Sequence, residues 1–393
     1  MSESVHTVPA MPAARRAGCP FDPPPELSDA QRHGPISRFT HSHGRPGWLV
    51  TGYDLTRAVL ADPRFSTRKD LLNVGDFRVP PAPPGEFLLM DEPDHGRYRK
   101  PLIRRFTVRR MRLLTARVEQ ITAERLDAME KAGPPVDLVS AFAKPIPTIM
   151  ICELLGVPYE DRDAFQEQID TFMGGEAGME ELIAAYTATQ TYLGELVRAK
   201  RAHPTDDILS ELTDTDLTDE ELQGMALLLL AAGFDTTANM LSLGTFALLE
   251  NPAQIAALHT DPARAVEELL RYLSVAKTFM RTALEDVSLD GHLIEAGTTV
   301  VLSYHTANHD PARFDSPGTL TLDREHHGHL AFGHGIHQCL GQQLARVELT
   351  VALTALLSRF PTLRLAVPAT EVVLRPETAD IFGVKSLPIT WDA

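Results

Sequence analysis

Phe332 to Gly341 reads FGHGIHQCLG, and the reading of this stretch decides the fold. The glycines at 333, 335 and 341 have access to backbone conformations closed to other residues, so the chain can wind tightly around Cys339. Immediately afterwards, Leu340 to Phe360 carries Leu340, Leu344, Val347 and Val351 on one side, which predicts a buried helix. Cys339 would then stand at a helix N-terminus, where exposed amides and the positive dipole end favour thiolate over thiol. A thiolate so placed serves as a nucleophile or as a metal ligand. The bland reading is an inert buried thiol.

Working outward, helical spacing dominates. Leu114, Val118, Ile121, Leu126 and Met129 recur as one face of an amphipathic helix. A longer helix is expected from Thr218, where Thr218-Asp-Glu-Glu221 reads as a capping box, to Glu250, stopping before Asn251-Pro252. Its middle, Leu227 to Ala232, is apolar on every side and should cross the interior. Strand signals are fewer: Trp48 to Thr51, Val287 to Leu289, Thr298 to Ser303 and Leu387 to Trp391. Pro388 predicts an edge position for the last of these. The sum is mostly helix with a small sheet. Pro- and Gly-rich interruptions at Pro80 to Gly85, Gly133 to Pro135 and Gly174 to Gly178 are too short for domain linkers, so one domain over residues 1–393 is expected.

A chain of 393 residues is long enough to enclose a sizeable cofactor. Its 37 Lys and Arg against 53 Asp and Glu leave a formal net charge of −16, which argues against whole-surface attraction to nucleic acid or anionic lipid. Cys19, Cys152 and Cys339 are odd in number and far apart, a poor disulfide framework that suits a reducing cytoplasm. The first residues lack an apolar core of secretory type, and their prolines read as a loosely ordered lead-in over about residues 1–35. The longest nearly apolar run, Met225 to Phe234, is short of the ~20 residues that span a bilayer. A monomeric cytoplasmic protein with no membrane or nucleic-acid partner is the expectation.

With Phe332, the glycines, the basic His337, Cys339 and Gly341 in place, the ten-residue string resembles the haem-binding signature of the cytochromes P450. The resemblance extends from about Asp54 to Trp391 and points to the soluble bacterial, actinobacterial biosynthetic type. It implies the mainly α fold of that family with a small β region, haem b lying between the long central helix and the cysteine-loop helix. Cys339 would be the axial metal ligand, with Phe332 packed near the sulfur and Gly341 beside the cofactor. A thiolate donates electron density through the iron and favours dioxygen cleavage.

Other motifs follow in order. Ala231 to Thr237 reads AAGFDTT. Gly233 weakens the helix, and a Thr236 hydroxyl can interrupt the backbone ladder. In the family this is the acid–alcohol pair that delivers protons, so Asp235 and Thr236 are the catalytic candidates, with Asp where many members carry Glu. Glu268-Leu-Leu-Arg271 places opposite charges three residues apart on a helix; it resembles the family's Glu-x-x-Arg motif, which implies a structural triad completed by Arg324. Two cofactor carboxylates need paired donors when buried; the resemblance implies His95, Arg99, Arg281 and His337. The family's Ala-Asn-Arg-Asp-Pro string stands here as Ala307-Asn-His-Asp-Pro311, with His309 for Arg.

No dinucleotide fingerprint or flavin domain is evident, so electrons must come from outside. Arg97, Arg99, Lys100, Arg104, Arg105, Arg109, Arg110 and Arg112 form a basic cluster that can steer an acidic partner. The implied partner is a ferredoxin fed by an NAD(P)H-dependent reductase. By resemblance, Leu88, Leu89, Leu228, Ala231, Ala232, Val275, Ala276, Ile381 and Phe382 line the pocket. The expected function is insertion of one oxygen atom of dioxygen into an apolar natural product, such as a macrolide or other polyketide, by hydroxylation or epoxidation. Two other readings are an inactive P450-like adaptor and a peroxide-driven peroxygenase.

Overall fold

A computed structural model describes residues 7–8, 20–41, 44–73, 75, 79–107, 113–161, 168, 171, 178–325, 328–376 and 379–392. Among them the helices of nine residues or more are α1 (Pro25–His33), α2 (Tyr53–Ala61), α3 (Asp94–Ile103), α4 (Thr115–Ala132), α5 (Pro145–Leu155), α6 (Met179–Ala202), α7 (Asp219–Glu250), α8 (Pro262–Leu273) and α9 (Gln342–Arg359). The first of these belongs to the stretch read as a loose lead-in. Leu27 and Ala30 of α1 are buried, and the Phe21 ring packs edge-on against Phe246 at 5.0 Å, so the ordered body begins earlier than expected.

The central helix obeys its sequence. The Thr218 hydroxyl accepts from the Glu221 amide at 3.2 Å, and the Glu221 carboxylate accepts from the Thr218 amide at 2.8 Å, forming the capping box. The helix then runs 32 residues to Glu250, packed against α5, α6 and α9. Gly233 does not break it. A Cβ there would meet Ile151 Cδ1 at 3.2 Å, so the missing side chain serves the close approach of α5. By length and mean hydropathy, 1.4 over eighteen residues, α7 could cross a membrane, yet 72% of that window is buried within the protein itself.

A second close approach fixes the loop before α3. A Cβ on Gly224 would stand 2.0 Å from the Pro84 carbonyl oxygen. Gly85, at φ +85°, lies equally tight on the Glu221 carbonyl. Backbone rests on backbone where this loop crosses the first turns of α7.

A six-stranded sheet contains β1 (Thr7–Val8), β2 (Ile36–Thr40), β3 (Pro46–Val50), β4 (Phe65–Ser66), β5 (Thr278–Ala283) and β6 (Thr299–Ser303) in the order β1-β2-β3-β6-β5-β4. Val287–Leu289 pairs with His292–Ile294 as a hairpin. A second hairpin, β7 (Val373–Leu374) with β8 (Val384–Ser386), carries a register shift between Val373 and Leu374. Pro388–Thr390 is the middle strand of a three-stranded sheet, between Arg364–Leu365 and Val136–Asp137, rather than an edge. Pro388 is the first residue of that strand, where a missing N–H removes no ladder bond, and its carbonyl still accepts from Ala366 at 2.9 Å.

One large hydrophobic cluster, from Phe21 to Trp391, joins α4, α5, α7, α8 and α9. In α9 the sealed side is Leu344, Leu349, Ala352, Leu353, Leu356 and Leu357. Leu340, Val347 and Val351, the side expected inside, are only half-buried.

Candidate functional site

The cysteine loop closes on itself through one bond, the Cys339 amide donating to the Phe332 carbonyl at 2.8 Å. Gly333 and Gly335 take φ of +68° and +75°, and a Cβ on Gly335 would meet the Leu60 carbonyl oxygen at 2.4 Å. Gly341 departs from the expectation: its φ is −81°, open to any residue. What distinguishes it is that nothing lies within 4 Å of where its Cβ would be.

The Cys339 side chain is accessible yet enclosed by protein, so it faces interior space rather than bulk solvent. Burial pushes its thiol above the ordinary value; the amides of Gly341 and Gln342 and the charges of Arg99 and Arg346 pull the other way without prevailing. The amides at the helix N-terminus thus work towards a thiolate, as expected, against burial that does not favour one. A coordinated metal ion would give the thiolate, because a ligating thiol is deprotonated outright. The Phe332 ring is covered by the Arg346 guanidinium at 4.6 Å.

Along α7, Leu228, Ala232 and Thr236 repeat at four-residue spacing. Ala232 is exposed and Leu228, Ala231 and Thr236 are half-buried, although the neighbouring turns are sealed. An exposed alanine in the middle of an interior helix means that a strip of it is not covered by the protein's own side chains. The Thr236 hydroxyl donates to the Ala232 carbonyl at 2.9 Å. Asp235, one step around the helix, is buried, and its two carboxylate oxygens accept from one nitrogen of Arg375 at 2.8 and 2.7 Å. Asn239 Nδ2 donates to the same carboxylate at 3.0 Å and to the Asp235 carbonyl at 2.7 Å. Sequence reasoning missed Arg375, which stands 140 residues away with no motif of its own.

The third wall is basic. His95 and His337 lie with ring centroids 4.2 Å apart. Arg99 donates to the Gln338 carbonyl, and Arg281 donates to the Met280 carbonyl at 2.9 Å. Burial lowers the pKa of all four groups, and His337 falls to about 3 under burial and the charges of His95, Arg281 and Arg99. His95 Nε2 and His337 Nδ1 are buried with no hydrogen-bond partner. Glu92 reaches His95 Nδ1 at 3.4 Å, leaving the cluster short of anionic charge. The protein thus offers a sulfur beside Arg99, a largely apolar strip of α7 left uncovered, and a basic cluster with two orphaned ring nitrogens. They fit a flat apolar cofactor with a metal centre and acidic side groups.

Away from these groups in sequence, Glu268 accepts from Arg271 at 2.7 and 2.8 Å and from Arg324 at 3.0 Å, fully buried. The triad expected from sequence is assembled. Arg271 also donates to the carbonyls of Asn308 and Pro317, and Arg324 to those of Ser316 and Thr319. His309, where the related string has Arg, is buried and pairs its Nδ1 with the His305 carbonyl at 2.9 Å.

A family model described as Cytochrome P450 matches residues 262–392. Cytochrome P450 105C1 of a Streptomyces species is 50% identical over 94% of this chain and 96% of its own. The chain belongs to the cytochrome P450 family. The P450 cofactor is haem, and this protein is a P450 monooxygenase. Pentalenic acid synthase of Streptomyces avermitilis is 42% identical over 95% of each chain. The crystal structure of CYP105P1 in complex with filipin I superposes with a TM-score of 0.90 at 41% identity, over 98% of this chain and 99% of that one. The helix content and the order of motifs agree with that P450 fold.

The remaining P450 residues expected from sequence are spread more widely. Leu88 and Leu89 sit half-buried in the turn Phe87–Leu89, tethered by the Thr67 hydroxyl to the Leu88 carbonyl at 3.1 Å. Ala276 bridges to Ile381, and the Phe382 amide donates to the Val275 carbonyl at 2.8 Å, so these four form one seam. Val275 and Phe382 belong chiefly to the core, at 7% and 6% exposure, which leaves Ala276 and Ile381 as its more open members. In the basic cluster, Arg97 is paired with Glu221 and Arg105 with Glu211. Lys100 and Arg104 are exposed. Arg109, Arg110 and Arg112 lie outside the described residues.

Proposed function

We propose that this P450 inserts one oxygen atom into an apolar natural product, such as a macrolide or other polyketide, with electrons from a ferredoxin and its NAD(P)H-dependent reductase in the cytoplasm. The observations that carry the reading are the enclosed but accessible Cys339 sulfur, the incompletely covered Leu228–Ala232–Thr236 strip of α7, and two arginines beside two histidines that each bury an orphaned ring nitrogen. The Streptomyces relatives named above support a small organic substrate of biosynthetic origin.

Cys339 would hold the iron, with Phe332, whose carbonyl accepts from the Cys339 amide, closing the loop beside it. His95, Arg99, Arg281 and His337 would hold the two propionates. The bound haem supplies oxygen activation, and the thiolate ligand favours O–O cleavage. The chain's own part is binding, orientation and control of protons. Because Thr236 gives its hydrogen to the Ala232 carbonyl, its oxygen presents lone pairs towards the open side and can accept a proton or hold a water there. Asp235 is the acid that passes protons from the buried side of α7 to that hydroxyl. Glu268, Arg271 and Arg324 brace the segment leading into the cysteine loop. Leu88, Leu89, Leu228, Ala231, Ala232, Val275, Ala276, Ile381 and Phe382 present a largely apolar wall, which orients a substrate by shape and excludes water from it.

The test is the carbon monoxide spectrum of the reduced protein. A long-wavelength Soret band is expected, lost in Cys339→Ser; retention of the native pigment and turnover by that variant overturns the assignment. For the substrate class, a macrolide or polyketide panel should shift the ferric spectrum. Response to fatty acids or terpenes alone would discard the polyketide.

A further inference from the structure

The relay acid is anchored by a residue from the far end of the chain. Arg375 follows β7 directly, and its guanidinium holds Asp235 with side-chain exposures of 12% and 9%. The anchor is part of a wider dock. The Arg375 amide donates to the Gly383 carbonyl at 2.9 Å, and a Cβ on Gly383 would fall 1.6 Å from Asn239 Oδ1. Asn239 in turn donates to Asp235. Side chain and backbone of the β7–β8 hairpin thus grip one turn of α7 from two directions, at Asp235 and at Asn239. In a helix, consecutive residues project about 100° apart, so the hairpin sets where around α7 the Asp235 carboxylate stands relative to the Thr236 side chain.

We propose that Arg375 is a positioning residue for the proton relay. It fixes the Asp235 carboxylate at a set distance and orientation from the Thr236 hydroxyl, and the hairpin transmits that position from the pocket wall at Ile381 and Phe382. The idea rests on the assignment of Asp235 as the relay acid. The role assigned to Arg375 in the relay runs through the carboxylate. Its guanidinium is a planar, permanently charged donor, so it orients the carboxylate and does not itself move a proton.

The experiment uses haem-loaded full-length protein with NADPH, a plant-type ferredoxin and its reductase, and no organic substrate, so that dioxygen is the acceptor. Under these conditions two electrons and two protons give hydrogen peroxide, and four of each give two waters. NADPH oxidation is followed in H2O and D2O, together with the ferric spectrum and the thermal unfolding midpoint. Arg375→Gln is expected to slow oxidation about ten-fold, a fraction of what a positioned acid contributes. It should raise the solvent isotope effect to the level of Asp235→Asn. Arg375→Lys, which keeps the charge, should recover most of the rate. The double variant should be no slower than Asp235→Asn alone, and should unfold at a higher temperature than Arg375→Gln alone because it buries no unpaired carboxylate.

A wild-type isotope effect in Arg375→Gln, while Asp235→Asn raises it, overturns the proposal and leaves the relay acid standing. Effects of the two substitutions that multiply also overturn it. An unchanged isotope effect in Asp235→Asn removes the relay acid and the proposal with it. If Arg375→Gln fails to take up haem, uptake by the double variant upholds the pairing, and failure of the double variant as well overturns it.

Discussion

The imidazoles of His95 and His337 sit 4.2 Å apart, each with one ring nitrogen buried and without a partner, beside Arg99 and Arg281. Buried guanidinium groups and orphaned ring nitrogens so arranged are costly until an anion arrives. Arg281→Leu is therefore expected to act in opposite senses on two forms. The apoprotein becomes more stable to urea, while haem is released to an apoglobin scavenger about 10- to 100-fold faster, the worth of one charge-assisted hydrogen bond. Equal destabilisation of both forms would show that Arg281 serves packing alone.

Glu268 is the buried hub of two arginines. Glu268→Ala leaves both cations without their carboxylate, at a cost of about 3–5 kcal/mol. Denaturant unfolding of the haem-loaded protein should register that loss. Glu268→Gln, which keeps the shape, should recover only a minor part of it.

Glu267 supplies a pH signature. Burial raises its pKa, but hydrogen bonds from His329 at 3.1 Å and from Arg346 outweigh it and hold the carboxyl at about 2. A folded pKa below the unfolded one gives stability that is present above about pH 4.5 and lost as pH falls towards 2. The stability gap between wild type and Glu267→Gln, roughly 3 kcal/mol at pH 7, should therefore narrow steadily from pH 5 to pH 3. A gap constant over that range contradicts the pairing.

On the face proposed for ferredoxin, Lys100 and Arg104 are exposed next to Ile103, itself 50% exposed, while Arg97 and Arg105 are spent on Glu221 and Glu211. Lys100→Glu with Arg104→Glu should slow reduction by ferredoxin about ten-fold at low salt, with the difference shrinking as salt screens the encounter. The same reversals at Arg97 and Arg105 should act mainly on stability. Stopped-flow reduction at several ionic strengths separates the two.

How much was written in the sequence varies with the range of the interaction. The capping box at Thr218, the stop at Asn251-Pro252 and the i,i+3 pair at Glu268 are local, and each stands as expected. The cysteine loop could be read because its glycines and its sulfur lie within ten residues. What escaped was long-range. Pro388 was legible as a poor ladder donor, but whether a strand covers both its sides depends on Val136 and Arg364, far away in the chain. The buried face of α9 turned on which neighbours reach it. Arg375 gave no signal, since an isolated arginine acquires meaning only when the hairpin brings it to Asp235. Gly233 was read for its effect on its own helix, whereas Ile151 on another decides its role.

The crossing of Pro84 and Gly85 over Gly224 is main chain on main chain, with no room for a side chain between. Its strength is therefore indifferent to what neighbouring positions carry. Leu88 and Leu89, only a few residues farther on, can be exchanged for larger, smaller or polar groups while the root of their loop stays clamped. A lineage holding those two glycines can vary the loop tip by drift without renegotiating the scaffold each time.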